Sequence, residues 1–461
     1  MPDHPSPAVA GVPPARIAAL RAAAEAAYRA RRPRTQARLA AGNDFLGGVP
    51  MHWMRDWPQP FPMLVARAEG AVIEDLDGNR LDDFCLGDTG SMYGHSPAPV
   101  AAAIRAQAER GLTYMLPTEA ALDCAGLLSA RFGAMRWQIA TTATDANRFA
   151  LRVARAVTGR PKVAVFDGCY HGTVDEAMIC RDAAGRTVAR PGLVGQVADL
   201  ALSGTALPWN DLGAIDAALA TGEIAAVLTE PVMTNSCMVL PAPGFLEGLR
   251  ELCTRHGAVL ILDETHTQSS GWGGYGRGHA IAPDMLVVGK CIAGGLPAAV
   301  WGMSPALADR FAAYDARRPS GHSGMGTTLS ANPLQFACLQ ATLTQVATPG
   351  AHDRMEAGAR RLAEGLAAAI ARHGAPWHVA RVGARVEFIC HPTPLRDGAE
   401  ARLAHHPALE AAIHAALVVR GCLIAPFHNM MLVSPVTTDA QIDRLTAAFD
   451  AVLAELFGDP I

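Results

Sequence analysis

Through the middle of the chain, short continuous apolar runs alternate with amphipathic segments. The runs VAVFD (163–167), AAVLTEP (225–231), AVLILDE (258–264) and MLVVGK (285–290) show no polar alternation. Strands covered on both faces read this way, because neither face meets water. Between them, ALDCAGLLSARFG (121–133), DANRFALRVARAVTG (145–159) and GFLEGLRELCTRHG (244–257) carry apolar residues three and four apart. That spacing predicts helices, and the alternation predicts an α/β domain with a mostly parallel sheet flanked by helices.

The two ends of the chain follow another pattern. Residues 14–42 read as one Ala/Arg-rich helix ending near Gly42, followed by a loop rich in Pro and Trp. AVIEDLDGNRLDDF (71–84) alternates apolar positions on either side of Asp77 and Gly78, which predicts a hairpin. After residue 346 come a long amphipathic helix (353–374), the strands ARVEFIC and LIAPF, and a last helix from Asp439 to Leu456. The expected organisation is a large domain over 76–345, and a smaller α+β domain built from 1–75 and 346–461. Two domains suit 461 residues, since single cores stop growing near about 250–300 residues. The glycine-rich stretch Gly271–Gly278 has no G-K-[ST] ending and reads as a flexible loop.

Composition narrows the function classes. The formal charge of −4 is small for this length, and no window gathers basic residues among aromatics, so neither nucleic acid nor anionic lipid is an expected partner. No apolar run approaches the about 20 residues that span a bilayer, and a cytoplasmic location is expected. The ten cysteines show no metal-binding spacing and read as reduced thiols, and no metal is expected. His405 and His406 read as a solvated pair on a helix.

Of 39 basic residues only two are lysines, Lys162 and Lys290. Where arginine has taken every position that needs only charge, a remaining lysine marks a place where an amine is required, since arginine forms no imine. AVLIL runs into Asp263 and Glu264, and MLVVG runs into Lys290. In an open α/β sheet, ligands bind at the carboxyl ends of the strands, so Asp263 and Lys290 share one rim. Lys162 sits at the amino end of its strand, on the opposite edge. Taken singly, an aspartate after a strand caps the next helix and a strand-end lysine is solvated. Together they suit a cofactor that needs both a protonated ring nitrogen and an amine.

The segments EPV (230–232), GFLEGLRELCTRHGAVLILDE (244–264), GKCIAGGLP (289–297), TLSANP (328–333), TATDANRFALRVAR (142–155) and YHG (170–172) resemble the fold-type I, class III aminotransferases. Within that class the sequence is most similar to the glutamate-1-semialdehyde 2,1-aminomutase branch. The resemblance runs from about residue 60 to the C-terminus. It implies the fold of that class, pyridoxal 5′-phosphate as cofactor and small amines, amino acids and keto acids as substrates.

Carried residue by residue, it implies the following roles. Lys290 matches the Schiff-base lysine and Asp263 the partner of the ring nitrogen. Tyr170 matches the aromatic that stacks on the ring, with His171 and Gly172 completing its turn. Thr265 stands where the family has valine. Ala143 and Thr144 match the helix start that holds the phosphate, although Thr144 read alone is a helix N-cap. Glu230 belongs to the cofactor-binding EPV motif. Thr328 matches the threonine that reaches the phosphate from a neighbouring subunit, which implies a homodimer with shared sites. The substrate loop GGVPMHWMR (47–55) offers Trp53 and Arg55 as substrate contacts, and no glutamate stands in APFHNMMLVS (425–434). The leading expectation is an aminotransferase acting on an amine or a β- or ω-amino acid, with the aminomutase reaction as its alternative. A decarboxylase, an epimerase or a non-catalytic cofactor-binding relative would share the scaffold.

Overall fold

A computed structural model describes residues 9–458. Contacts group the chain into two compact units. One comprises the residues up to Ser96, Asp353–Pro394 and the residues from Leu403 onward; the other comprises Pro97–His352 and Leu395–Arg402. Residues 76–96, expected with the large domain, group with the first unit.

The second unit is built on a seven-stranded sheet. Its order is Arg136–Ala140, Ala299–Met303, Met285–Val288, Val259–Asp263, Ile224–Thr229, Lys162–Phe166 and Gly204–Leu207. Ala299–Met303 runs antiparallel to both neighbours, and every other pairing is parallel. All residues of Ile224–Thr229, Val259–Asp263 and Met285–Val288 are buried, as their unbroken apolar runs require. Each buried Ile, Leu or Val side chain contributes about 1.5–3 kcal/mol of transfer free energy. The register pairs Asp263 with Val287, so the strand leading to Lys290 ends beside the one ending in Asp263.

The helix Ala143–Thr158 packs on this sheet and buries Ala146, Asn147, Phe149, Ala150, Leu151, Val153 and Ala154. Its start is fixed by Thr142, whose Oγ1 accepts from the Asp145 N–H at 3.1 Å. Its end is the left-handed Gly159. Leu395–Arg402 is held in the same unit by an Arg402–Asp167 ion pair of 2.9 Å and by Asn210 Nδ2, which donates to the Arg396 carbonyl.

The first unit holds two smaller sheets. One runs Val65–Glu69, Val72–Asp75, Arg80–Asp83, Cys422–Leu423; the other runs His378–Val382, Arg385–Ile389, Met430–Leu432. The 71–84 segment forms the expected hairpin. LIAPF contributes only Leu423 to a strand.

The single helix expected over 14–42 is two, Pro14–Ala30 and Pro33–Ala40. Pro33 lacks an N–H and keeps Arg32 out of the helical region, so the first helix stops. Arg32 turns inward instead. Its guanidinium lies over the Tyr28 ring and pairs with Asp75 at 2.8 Å. Asp77, in the hairpin turn, accepts from the Arg34 and Thr35 N–H groups and so caps the second helix.

Two further expectations are corrected. His405 and His406 lie between the helices Gly398–Leu403 and Pro407–Val419, and His405 Nδ1 is 2.6 Å from Glu410. The stretch Gly271–Gly278 is no flexible loop: Gly274–Gly278 is a helical turn whose N–H groups bind the buried Glu264 carboxylate. All ten cysteines are free thiols, nine of them buried.

Candidate active site

The carboxyl ends of two neighbouring parallel strands bring the site together. Val259–Asp263 delivers Asp263, which is fully buried. Its Oδ2 accepts from Asn147 Nδ2 and faces His171 Nδ1, both at 2.9 Å, and its Oδ1 accepts from the Thr265 N–H at 3.1 Å. Burial by itself raises a carboxylate's pKa, but here the His171 hydrogen bond and charge, with Thr265 and Asn147, outweigh it and hold Asp263 below its ordinary value. For His171, burial pulls the imidazole down, while the Cys169 sulfur and the Asp263 carboxylate beside it push it up, and the net direction is upward. Asp263 is thus an ionised carboxylate kept out of water, the partner a protonated aromatic nitrogen needs.

Met285–Val288 leads through Gly289 to Lys290, which opens a short 3₁₀ turn. Cys291 is buried in that turn. Lys290 has φ 54°, a left-handed conformation that costs a non-glycine residue roughly 1–3 kcal/mol. Its Nζ lies 2.7 Å from His266 Nε2. Lys162 is remote from this cluster in role: it starts its strand and pairs with Glu223 at 2.9 Å.

The start of helix Ala143–Thr158 forms a third wall. Thr142 is the N-cap, not Thr144, whose Oγ1 accepts from the Thr173 N–H at 3.2 Å. Gly172 makes this approach possible: it has φ 76°, and a Cβ there would sit 2.0 Å from Thr144 Oγ1. A Cβ on Gly289 would likewise lie 2.8 Å from the Ala143 Cβ. The first N–H groups of a helix have no partner inside it and carry a favourable dipole for an anion.

Tyr170, which precedes His171 in the chain, is 41% exposed. Thr265 is buried, and its hydroxyl has a purpose: Oγ1 accepts from the Gly289 N–H at 3.2 Å, tying the loop after Asp263 to the residue before Lys290. Glu230 is buried with Thr234 and Asn235 as donors; burial raises its pKa, with His171 and Thr234 opposing. Thr328 is exposed in a turn. Trp53 and Arg55 belong to the first unit. There Trp53 lines an apolar cavity of about 490 Å³ with Phe45, Met54, Trp57 and Met63. Arg55 packs its guanidinium against Gly47, where a Cβ would come within 2.6 Å of Nη1.

Asn147, Gln268 and the contact between His266 and Lys290 escaped the sequence reading. Asn147 had one signal, a polar residue on the apolar face of an amphipathic helix.

An ionised buried carboxylate, an amine on the adjacent strand end and an anion-binding helix start define an α/β enzyme built for an aromatic, phosphorylated cofactor. Residues 53–453 match the family described as aminotransferase class-III, and the chain belongs to that family, whose cofactor is pyridoxal phosphate. A glutamate-1-semialdehyde 2,1-aminomutase of Roseiflexus castenholzii is 37% identical over 397 residues, covering 85% of this chain and 90% of that relative. A solved glutamate-1-semialdehyde-aminomutase from Pseudomonas aeruginosa PAO1 is 45% identical with a TM-score of 0.95, covering 97% of this chain and all of that one. A variant of that aminomutase has been solved in complex with PMP. An omega-transaminase from Sphaerobacter thermophilus is 29% identical with a TM-score of 0.83, over 91% of this chain and 96% of that one. The fold is that of fold-type I pyridoxal-phosphate enzymes, as expected. The broad expectation of a class III enzyme stands, and the aminomutases among its relatives favour the alternative over general transamination.

Proposed function

We propose that this chain moves an amino group between adjacent carbons of one small amino-acid aldehyde, a glutamate-1-semialdehyde 2,1-aminomutase type of reaction. The observation that carries the proposal is Lys290 and Asp263 at the ends of paired strands, in a chain whose relatives of 33–37% identity bear that name.

Pyridoxal phosphate, when bound, supplies an aldehyde carbon for amines and a ring that delocalises the electron pair left when a substrate carbon loses its proton. Lys290 Nζ is the amine that holds the cofactor and, once released, takes and returns that proton. Asp263 keeps the ring nitrogen protonated, and His171 and Asn147 keep Asp263 ionised and aimed. Tyr170 would stack on the cofactor ring, and Thr265 would pack against it. The N–H groups of Ala143 and Thr144 hold the phosphate, joined by Thr328 of a second copy in a homodimer. Glu230, held by Thr234 and Asn235, would belong to the residues that hold the cofactor. Arg55 and Trp53 contact the substrate. Among the described residues no helix is long and apolar enough to cross a membrane.

The decisive test is conversion of the semialdehyde by purified holoenzyme with no added amino acceptor. Turnover under those conditions supports the aminomutase; a strict requirement for a keto acid overturns it. Lys290→Ala must also lose the visible absorbance of the lysine–cofactor bond, while Lys162→Ala keeps it.

Intermolecular transamination of a less polar amine is the second reading. It is favoured by the aromatic residues Trp53 and Trp57 flanking Arg55 in the sequence and by the absence of glutamate from residues 427–431.

A further inference from the structure

His266 has no part in the roles above, yet it is buried with Nε2 2.7 Å from Lys290 Nζ. With the tautomer that leaves Nε2 unprotonated, the imidazole accepts from the lysine amine. Twenty-four positions separate the two residues, and the contact is built rather than local. The Gly289 N–H donates to Thr265 Oγ1 at 3.2 Å, and Gln268 Nε2 donates to the carbonyls of Gly289 at 2.9 Å and Thr265 at 3.0 Å. These bonds lock the segment carrying His266 to the one carrying Lys290. Lys290 itself has a left-handed backbone, φ 54°, and its amine lies within reach of the imidazole. A lysine side chain has four rotatable bonds, and one fixed partner restricts where its amine can be.

We infer that His266 is a positioning residue for Lys290: when Nζ is not bonded to the cofactor, Nε2 accepts its hydrogen bond and keeps the amine placed to re-form that bond. The inference rests on Lys290 being the cofactor anchor. It assigns His266 to the moments before and after covalent attachment, when a loose lysine would wander from the aldehyde carbon.

The test uses the full chain freed of cofactor, with the rate of appearance of the lysine–cofactor absorbance followed by stopped flow after adding pyridoxal phosphate. Loss of the acceptor in His266→Leu slows this rate by about tenfold, the kinetic equivalent of one ordinary hydrogen bond. His266→Phe, which fills the ring's volume without an acceptor, is slowed to the same degree. His266→Gln keeps an acceptor oxygen and stays within about threefold of the parent chain. End-point absorbance is equal in all three, because positioning changes the approach and not the product. An unchanged rate in the leucine and phenylalanine variants, or equal slowing in glutamine, overturns the inference. Lys290→Ala separates the layers: if it still develops the absorbance, the anchor assignment fails and the inference falls with it, whereas a silent Lys290→Ala with an unaffected His266→Leu refutes the inference alone.

Discussion

Replacing Glu264 by Gln should unfasten the glycine-rich turn beside the site. The carboxylate is buried, and each oxygen is committed: Oε2 accepts from Thr267 Oγ1 at 2.5 Å and the Tyr275 N–H at 3.0 Å, and Oε1 accepts from the Gly276 N–H at 2.6 Å. Burial raises the Glu264 pKa, with Thr267, Gly276 and Tyr275 pulling it back, so the ionised form depends on these donors. Glutamine keeps one oxygen and turns an NH₂ toward the other set, leaving at least one buried backbone N–H without an acceptor. Such a loss costs about 1–3 kcal/mol, and relief of the buried charge returns part of it, for a net of about 1–2 kcal/mol. Because that is a local cost, the assay is amide hydrogen exchange of peptides covering 271–281. Exchange there should speed up by about tenfold, since 1.4 kcal/mol is a factor of ten in an opening equilibrium. Unchanged exchange at Tyr275 and Gly276 would show that the carboxylate does not hold the turn.

Gly172→Ala should cost more than about 2 kcal/mol, through its positive φ and a clash with Thr144, and should weaken cofactor binding measured by equilibrium dialysis; wild-type affinity refutes the tight approach. Asp263→Asn removes the charged partner of His171, and turnover should fall by at least about a hundredfold, the equivalent of one lost charge-assisted hydrogen bond at the reacting ring; steady-state kinetics with less than a tenfold loss, at about 1.4 kcal/mol per decade, contradicts the proposed role. His414 is held neutral: Nε2 donates to the Ile424 carbonyl and Nδ1 accepts from Gln59, both at 3.0 Å, and burial, aided by Arg21, lowers its pKa to about 4. A depressed folded-state value means the unfolded chain binds the extra proton, so this contribution is present above pH 6.5 and is lost as pH falls toward 4. It amounts to about 3 kcal/mol. Urea midpoints at pH 7 and 4.5 should differ by less in His414→Phe than in the parent chain, and an equal difference refutes the assignment.

The central sheet was legible because both its faces are covered, which leaves unbroken apolar runs, and because Asp263 and Lys290 stand at the ends of two of them. The break at Pro33 was also legible in principle, yet the Ala/Arg periodicity continued across it and masked the stop. The glycine stretch 271–278 was misread because its order comes from Glu264, which only the folded chain brings against it. Asn147 shares that difficulty, and so does the meeting of His266 with Lys290. Each acquires its meaning from a partner more than twenty residues away, Asp263 for one and Lys290 for the other, and no local spacing encodes that meeting.

The passage of the chain between its units, crossing after Ser96, His352, Pro394 and Arg402, constrains how such a protein can be recombined. A chimera that swaps the smaller unit for a relative's must exchange three separate stretches at once while sparing the eight-residue excursion at Leu395–Arg402. Fragment complementation at a single cut would therefore divide at least one unit, and breakpoints for library design belong at those four crossings.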